Sequence, residues 1–110
     1  LSGGDPLHEA NLDGVLDLVN EIRLSFPNKS IWLYSGYDYQ KVMRQLPNLA
    51  TKENYNMYKR QQIIKQCTVM VDGRYIDSQR NPSKKWAGSD NQRIISIAES
   101  LKQGKVIMLE

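Results

Sequence analysis

The stretch Asn11–Tyr37, NLDGVLDLVNEIRLSFPNKSIWLYSGY, decides how the rest of the chain is read. Leu12, Val15, Leu16, Val19, Ile22 and Phe26 recur at intervals of three and four residues, the stripe of an amphipathic helix. Asn11 stands where an N-cap belongs, Asp13 suits the first turn, and Pro27 stops the helix. The run SIWLYSGY that follows is β-branched and aromatic and ends at Gly36, so it reads as a strand. Leu1-Ser2, just before Gly3-Gly4, reads as the remnant of an earlier strand. A strand, a helix of about four turns and a second strand form a βαβ unit, whose crossover is right-handed and whose strands are parallel.

Working outward, Asp38 caps a short helix carrying Tyr39, Val42, Met43 and Leu46, ended by Pro47. Residues 49–66 are rich in Tyr, Asn, Gln and Lys and have poor periodicity, yet read mostly as helix. TVMVDG, Thr68–Gly73, is a clear strand running into a glycine turn. A long loop follows over Gly73–Gly88. Ser89-x-x-Gln92 then matches a capping box, with Ile94, Ile95, Ala98 and Leu101 as the buried face of a helix and Gly104 at its C-terminus. KVIML closes the chain as a last strand. The predicted order is β-α-β-α-α-β-α-β, in one domain over residues 1–110. Strands this apolar face water on neither side, so the fold class is α/β, a parallel β-sheet with flanking helices.

Composition narrows the function classes. The chain has 110 residues, 40% hydrophobic and 25% charged, as in a folded soluble domain. Its longest apolar runs are too short to span a membrane. The one cysteine, Cys67, excludes an internal disulfide and any multi-cysteine metal site, and suits a reducing, cytoplasmic setting. Residues 1–30 carry five acids against Arg23 and Lys29, whereas residues 59–93 carry eight bases against Asp72, Asp77 and Asp90. Such a basic half either meets an anionic partner or is simply solvated, and no spacing matches a nucleic-acid-binding motif.

Ligands of parallel α/β sheets bind at the carboxyl ends of the strands. Three such ends carry unusual residues here: Gly3-Gly4-Asp5, Ser35-Gly36-Tyr37 and Asp72-Gly73. Alone, Gly3-Gly4-Asp5 reads equally well as a turn, Asp72-Gly73 reads more readily as a turn than a site, and Ser35 could simply satisfy a strand end. Together they offer close backbone approach at the glycines and carboxylates at Asp5 and Asp72, a site for a polar small molecule with a positive group. His8 has no serine or acid arranged with it, and Cys67 reads as a small buried residue rather than a nucleophile. Trp32 reads as core. Trp86, in a basic loop, is either packed over the sheet edge or offered to a partner.

Four blocks, LSGGDPLHEAN, FPNKSIWLYSGY, VMVDGRY and WAGSDNQR, occur in this order in the activating proteins of anaerobic ribonucleoside-triphosphate reductases. The chain resembles that family over roughly residues 1–97. The family consists of small radical S-adenosylmethionine enzymes, so the resemblance implies an incomplete (β/α) barrel of radical SAM type, of which this chain is the C-terminal part. It also implies a 4Fe–4S cluster on a C-x3-C-x2-C loop, S-adenosylmethionine as cosubstrate, and production of a glycyl radical on the reductase. An electron donor such as flavodoxin is implied, and neither nucleic acid nor membrane. By the same resemblance Gly3, Gly4 and Asp5 hold the methionyl amine. Ser35, Gly36 and Asp72 hold other polar groups, and Trp86, Gly88, Asn91 and Gln92 form a rim that meets the reductase.

The departures matter. The cluster cysteines are absent and Cys67 matches no part of their motif. Ala87 stands where the family more often has arginine, and Tyr34-Ser35 where Trp-Thr is common. No catalytic or metal-ligating residue is therefore expected within these residues, and alone they are expected to be inactive. Two alternatives stay open: a non-catalytic α/β module binding a nucleotide or partner protein, and an activase of a different glycyl-radical enzyme.

Overall fold

The apolar stripe becomes helix α1, Leu12–Ser25, in the computed structural model, which describes residues 4–109. Leu12, Val15 and Val19 are buried, while Phe26 lies past the helix end and is exposed. Asn11 occupies the N-cap position without capping; its side-chain amide instead donates to the Asp5 carbonyl at 2.9 Å. A 3-10 turn, Glu9–Asn11, leads into the helix, with His8 Nδ1 accepting from the Ala10 amide. The expected strand at Leu1-Ser2, like Gly3, lies outside the described residues.

Strands β1 (Trp32–Ser35), β2 (Val69–Asp72) and β3 (Arg93–Ser96) form one sheet in that order. Between β1 and β2 run α2 (Tyr39–Val42) and α3 (Lys52–Lys65). The Asp38 carboxylate caps α2 and the Thr51 hydroxyl caps α3, each accepting an amide at 3.1 Å. This helical crossover lets β1 and β2 pair in parallel. The sheet is nevertheless mixed, which corrects the expectation of a parallel one: β2 and β3 are antiparallel. The reason lies in residues 73–92, which hold only a 3-10 turn at Asp77–Gln79 and one bridge, Arg80 to Ser89. Without a crossover helix the chain folds straight back onto β2.

The predicted helix after Ser89 is corrected as well. Gln92 Oε1 accepts from the Ser89 amide at 3.1 Å, as in a capping box. Residues 93–96 nonetheless form β3, and α4 begins only at Ile97, running to Gln103. Ile94 and Ile95 explain the choice, because in a strand they face opposite sides and both are buried. Gly104 takes the left-handed conformation (φ 67°) that ends α4. The last segment is not a full strand. It runs beside β3 through the Ile95–Met108 bridge and the Leu109 amide to the Ile94 carbonyl at 2.8 Å.

The sheet has two differently covered faces. Leu33, Met70 and Ile95 pack with α1, α3 and α4 in the main core, joined by fully buried Leu7, Ile63 and Ile64. Val69, Val71 and Ile94 form a smaller cluster on the opposite face with Trp32, Ala87 and Leu109. Among the described residues no helix is long and apolar enough to cross a membrane.

Candidate functional site

The ends of β1 and β2 and the loop before α1 meet at one edge of the sheet, and Asp5 joins two of them. Its Oδ1 accepts from the Ser35 hydroxyl at 2.7 Å and from the Leu7 amide at 2.9 Å. Its Oδ2 accepts from the Gly36 amide at 2.7 Å. The carboxylate thus clasps the Gly4–Leu7 loop to the end of β1. A Cβ on Gly36 would stand 3.4 Å from that Oδ2, at the near limit of ordinary van der Waals contact. Ser35 Oγ also accepts from the Tyr37 amide at 3.1 Å, which turns the chain away from the strand.

A cavity of about 680 Å³ opens beside this clasp. Gly4, Asp5, Ser35 and Gly36 line it together with Tyr34, Tyr37, Arg74 and Tyr75. The volume falls within the range of small-molecule sites. Glycine backbone, three phenol rings and one guanidinium equip it for a ligand that combines a planar ring with polar ends.

Asp72 does not line this cavity. It is 1% exposed, and its two oxygens accept from Arg93 Nε at 2.9 Å and Nη2 at 2.6 Å. Its Oδ2 also accepts from the Tyr39 amide at 2.8 Å, so one carboxylate ties β2, β3 and the start of α2. The hydrogen bonds that Arg93 donates to Asp72 raise the pKa of the guanidinium above its ordinary value. Gly73, at φ 98°, needs the freedom of glycine to make the turn that follows.

The rim residues divide in two. Asn91 and Gln92 hold the 73–92 loop in shape: Asn91 Nδ2 donates to the Arg74 carbonyl at 2.8 Å, and Gln92 Nε2 to the Gly73 carbonyl at 3.0 Å. Gln92 Oε1 accepts from the Gly88 amide at 2.8 Å, and a Cβ on Gly88 would meet the Tyr75 ring at 2.9 Å. Trp86 is 46% exposed and packs edge-on against Trp32, with ring centroids 5.3 Å apart at 66°. It is both packed over the sheet and available at the surface. Its backbone is left-handed (φ 65°), a conformation that non-glycine residues rarely adopt and that costs about 1–2 kcal/mol.

Sequence reading missed Arg60, Arg74 and Arg93 as contributors. Arg93 was legible as the partner of an acid on a neighbouring strand only once the antiparallel register was known. Arg60 stands on a helix of poor periodicity and left no signal.

A family profile described as a 4Fe-4S single cluster domain matches residues 1–95. The chain belongs to that family. More particularly, it is similar to proteins named anaerobic ribonucleoside-triphosphate reductase-activating protein. The relative from Vibrio cholerae serotype O1 is 39% identical over 94 residues, 86% of this chain and 52% of its own length. That from Escherichia coli K12 is 37% identical over 92 residues, covering 84% and 51%. That from Enterobacteria phage T4 is 35% identical over 102 residues, covering 92% and 54%. The chain spans about half the length of the curated relatives it matches. No solved structure matches it significantly.

The described residues do not themselves fit an iron–sulfur cluster, which is held by several cysteine thiolates. Cys67, the one cysteine of the sequence, is buried, and its thiol donates to the Ile63 carbonyl at 3.3 Å. Burial pushes its pKa up to about 12, away from the thiolate a metal requires. Among the described residues no group of three or more His, Cys, Asp or Glu side chains is placed to bind a metal ion.

Proposed function

We propose that this chain is the cosubstrate-holding and reductase-facing part of an anaerobic ribonucleoside-triphosphate reductase-activating protein, within an α/β scaffold of radical S-adenosylmethionine type. The observation that carries the reading is the clasp of Asp5 on Ser35 and Gly36 beside a cavity of about 680 Å³. S-adenosylmethionine has a planar adenine, a carboxylate and an ammonium group. Aromatic walls, Arg74 and glycine backbone beside an aspartate suit those three parts respectively.

Gly3, Gly4 and Asp5 hold the methionyl amine in this reading, with Ser35 and Gly36 bonded behind Asp5. Three donors already use most of the lone pairs of Asp5, so backbone carbonyls share the ammonium with it. Asp72 contributes at one remove, by fixing Arg93 and the start of α2. When bound, S-adenosylmethionine supplies the radical chemistry by which an activase places a glycyl radical on its reductase. The thiolates of the 4Fe–4S cluster come from outside these 110 residues. Trp86, with Gly88, Asn91 and Gln92 shaping its loop, faces the reductase. A flavodoxin-like electron donor and a cytoplasmic setting complete the proposal.

The test is a glycyl electron paramagnetic resonance signal on purified anaerobic ribonucleotide reductase, formed by the intact, cluster-reconstituted protein with S-adenosylmethionine. A signal on a different glycyl-radical enzyme alone would reassign the target. One rival is a scaffold that binds without chemistry. That rival predicts no cleavage of S-adenosylmethionine by the reconstituted intact protein.

A further inference from the structure

Arg60 sits on the inner face of α3 and is only 7% exposed. No carboxylate among the described residues forms an ion pair with it. Glu9 feels its charge without touching it. A buried cation with no carboxylate in contact is costly, and an apolar side chain of similar volume would avoid that cost. The guanidinium is committed elsewhere. Its Nε donates to the Leu7 carbonyl at 2.7 Å, and its Nη2 donates to the Tyr37 hydroxyl at 3.3 Å. Its central carbon lies 4.7 Å from the centre of the Tyr37 ring.

These contacts fall on the two loops that Asp5 joins. Leu7 receives Arg60 at its carbonyl and gives its amide to Asp5 at 2.9 Å. Tyr37 directly follows Gly36, whose amide the same aspartate takes. The cavity wall is therefore stapled twice, by Asp5 at the strand end and by Arg60 from the helix layer. Lysine has no planar fork and does not reproduce a bond to each loop together with a face on the ring.

From this geometry we infer that Arg60 is a positioning residue for the cavity: acting through Leu7 and Tyr37, it sets the spacing between the Gly4–Asp5 wall and the Ser35–Tyr37 wall. The inference rests on reading the cavity as the S-adenosylmethionine site, and it adds the residue on which that site's spacing depends.

The experiment uses the intact protein with Arg60→Met, Arg60→Lys and Tyr37→Leu, and the Arg60→Met/Tyr37→Leu double variant. Two readouts are taken: amide hydrogen exchange at Leu7, Gly36 and Tyr37, and equilibrium dialysis of labelled S-adenosylmethionine. Arg60→Met is expected to speed exchange at those amides about tenfold beyond any change at β2 and α4, and to weaken binding about tenfold. Arg60→Lys falls between. In the Tyr37→Leu background the same arginine change alters binding less than it does in the wild type, because the Tyr37 contact is already gone and only the Leu7 bond remains to be lost. Uniform acceleration of all amides, or fully additive losses in binding, overturns the proposal. If Arg60→Met does not fold, Arg60→Lys and Arg60→Gln carry the same comparison. If the wild-type protein binds no S-adenosylmethionine, the ligand reading falls, while local exchange at Gly36 still decides the role of Arg60.

Discussion

Asp72 and Arg93 are register partners across the antiparallel β2–β3 pair, and they meet through two parallel hydrogen bonds of 2.9 and 2.6 Å. The pair is unequal, since the carboxylate side chain is 2% exposed and the arginine 29%. That inequality makes the two halves of the pair cost different amounts to remove. Arg93→Met strands a buried charge with only the Tyr39 amide for company, and is expected to cost about 3–5 kcal/mol. Asp72→Asn keeps an acceptor for Tyr39 and leaves an arginine that water can reach, at about 1–3 kcal/mol. Urea unfolding of the two variants checks the order, and Asp72→Asn being the worse would refute this account of the pair.

The Asp5 clasp yields a second expectation. Asp5→Ala removes the acceptor of three hydrogen bonds and frees the loop before α1 from β1. A loss of about 2–3 kcal/mol follows, together with faster exchange at the Gly36 amide. Gly36→Ala presses a methyl group to 3.4 Å from Oδ2 without straining the backbone, so its cost is smaller, about 1 kcal/mol. If the cavity holds S-adenosylmethionine as proposed, its binding should fall in both, and more in Asp5→Ala.

Cys67 makes stability depend on alkaline pH. Its thiol titrates at 9.0 when unperturbed and at about 12 in the fold, where burial disfavours the thiolate. Between those values the unfolded state loses a proton that the folded state keeps, so this contribution is intact below pH 9.0 and declines as pH rises toward about 12. The slope is about 1.4 kcal/mol per pH unit at most. Denaturant unfolding at pH 8 and pH 10.5, taken as the difference between wild type and Cys67→Ala, isolates it. A difference that does not change with pH would sink the claim.

Trp86 covers Trp32 while remaining half exposed. Trp86→Ala is expected to cost about 1–2 kcal/mol, since an edge-on aromatic pair is lost while alanine keeps the Cβ that strains the left-handed backbone. Trp32 then becomes more exposed, and its fluorescence should shift to the red. If the loop meets the reductase as proposed, radical formation should fall by more than stability predicts.

Most elements were legible where a residue's own neighbours dictate its state. The α1 stripe, the strands at Trp32–Ser35 and Val69–Asp72 and the left-handed Gly104 all follow from local pattern, whereas α3 was read as helix despite its poor periodicity. So did the convergence of Asp5, Ser35 and Gly36, because strand ends in such sheets gather on one edge. The helix expected over Ile94 and Ile95 was misread because a capping box is a local signal, whereas pairing with β2 buries both side chains.

What the sequence by itself determined is which segments form helix or strand, residues 93–96 and the last segment excepted, and which polar residues stand at strand ends, since both depend on spacing along the chain. Tertiary structure alone decided that β3 runs antiparallel, that Asp72 belongs to Arg93 rather than to the cavity, and that Arg60 braces the cavity wall. The physical reason is separation. Arg60 and Leu7 are 53 positions apart, and Asp72 and Arg93 are 21 apart. A buried polar group must find its partner wherever packing delivers one, and no local pattern records where that is.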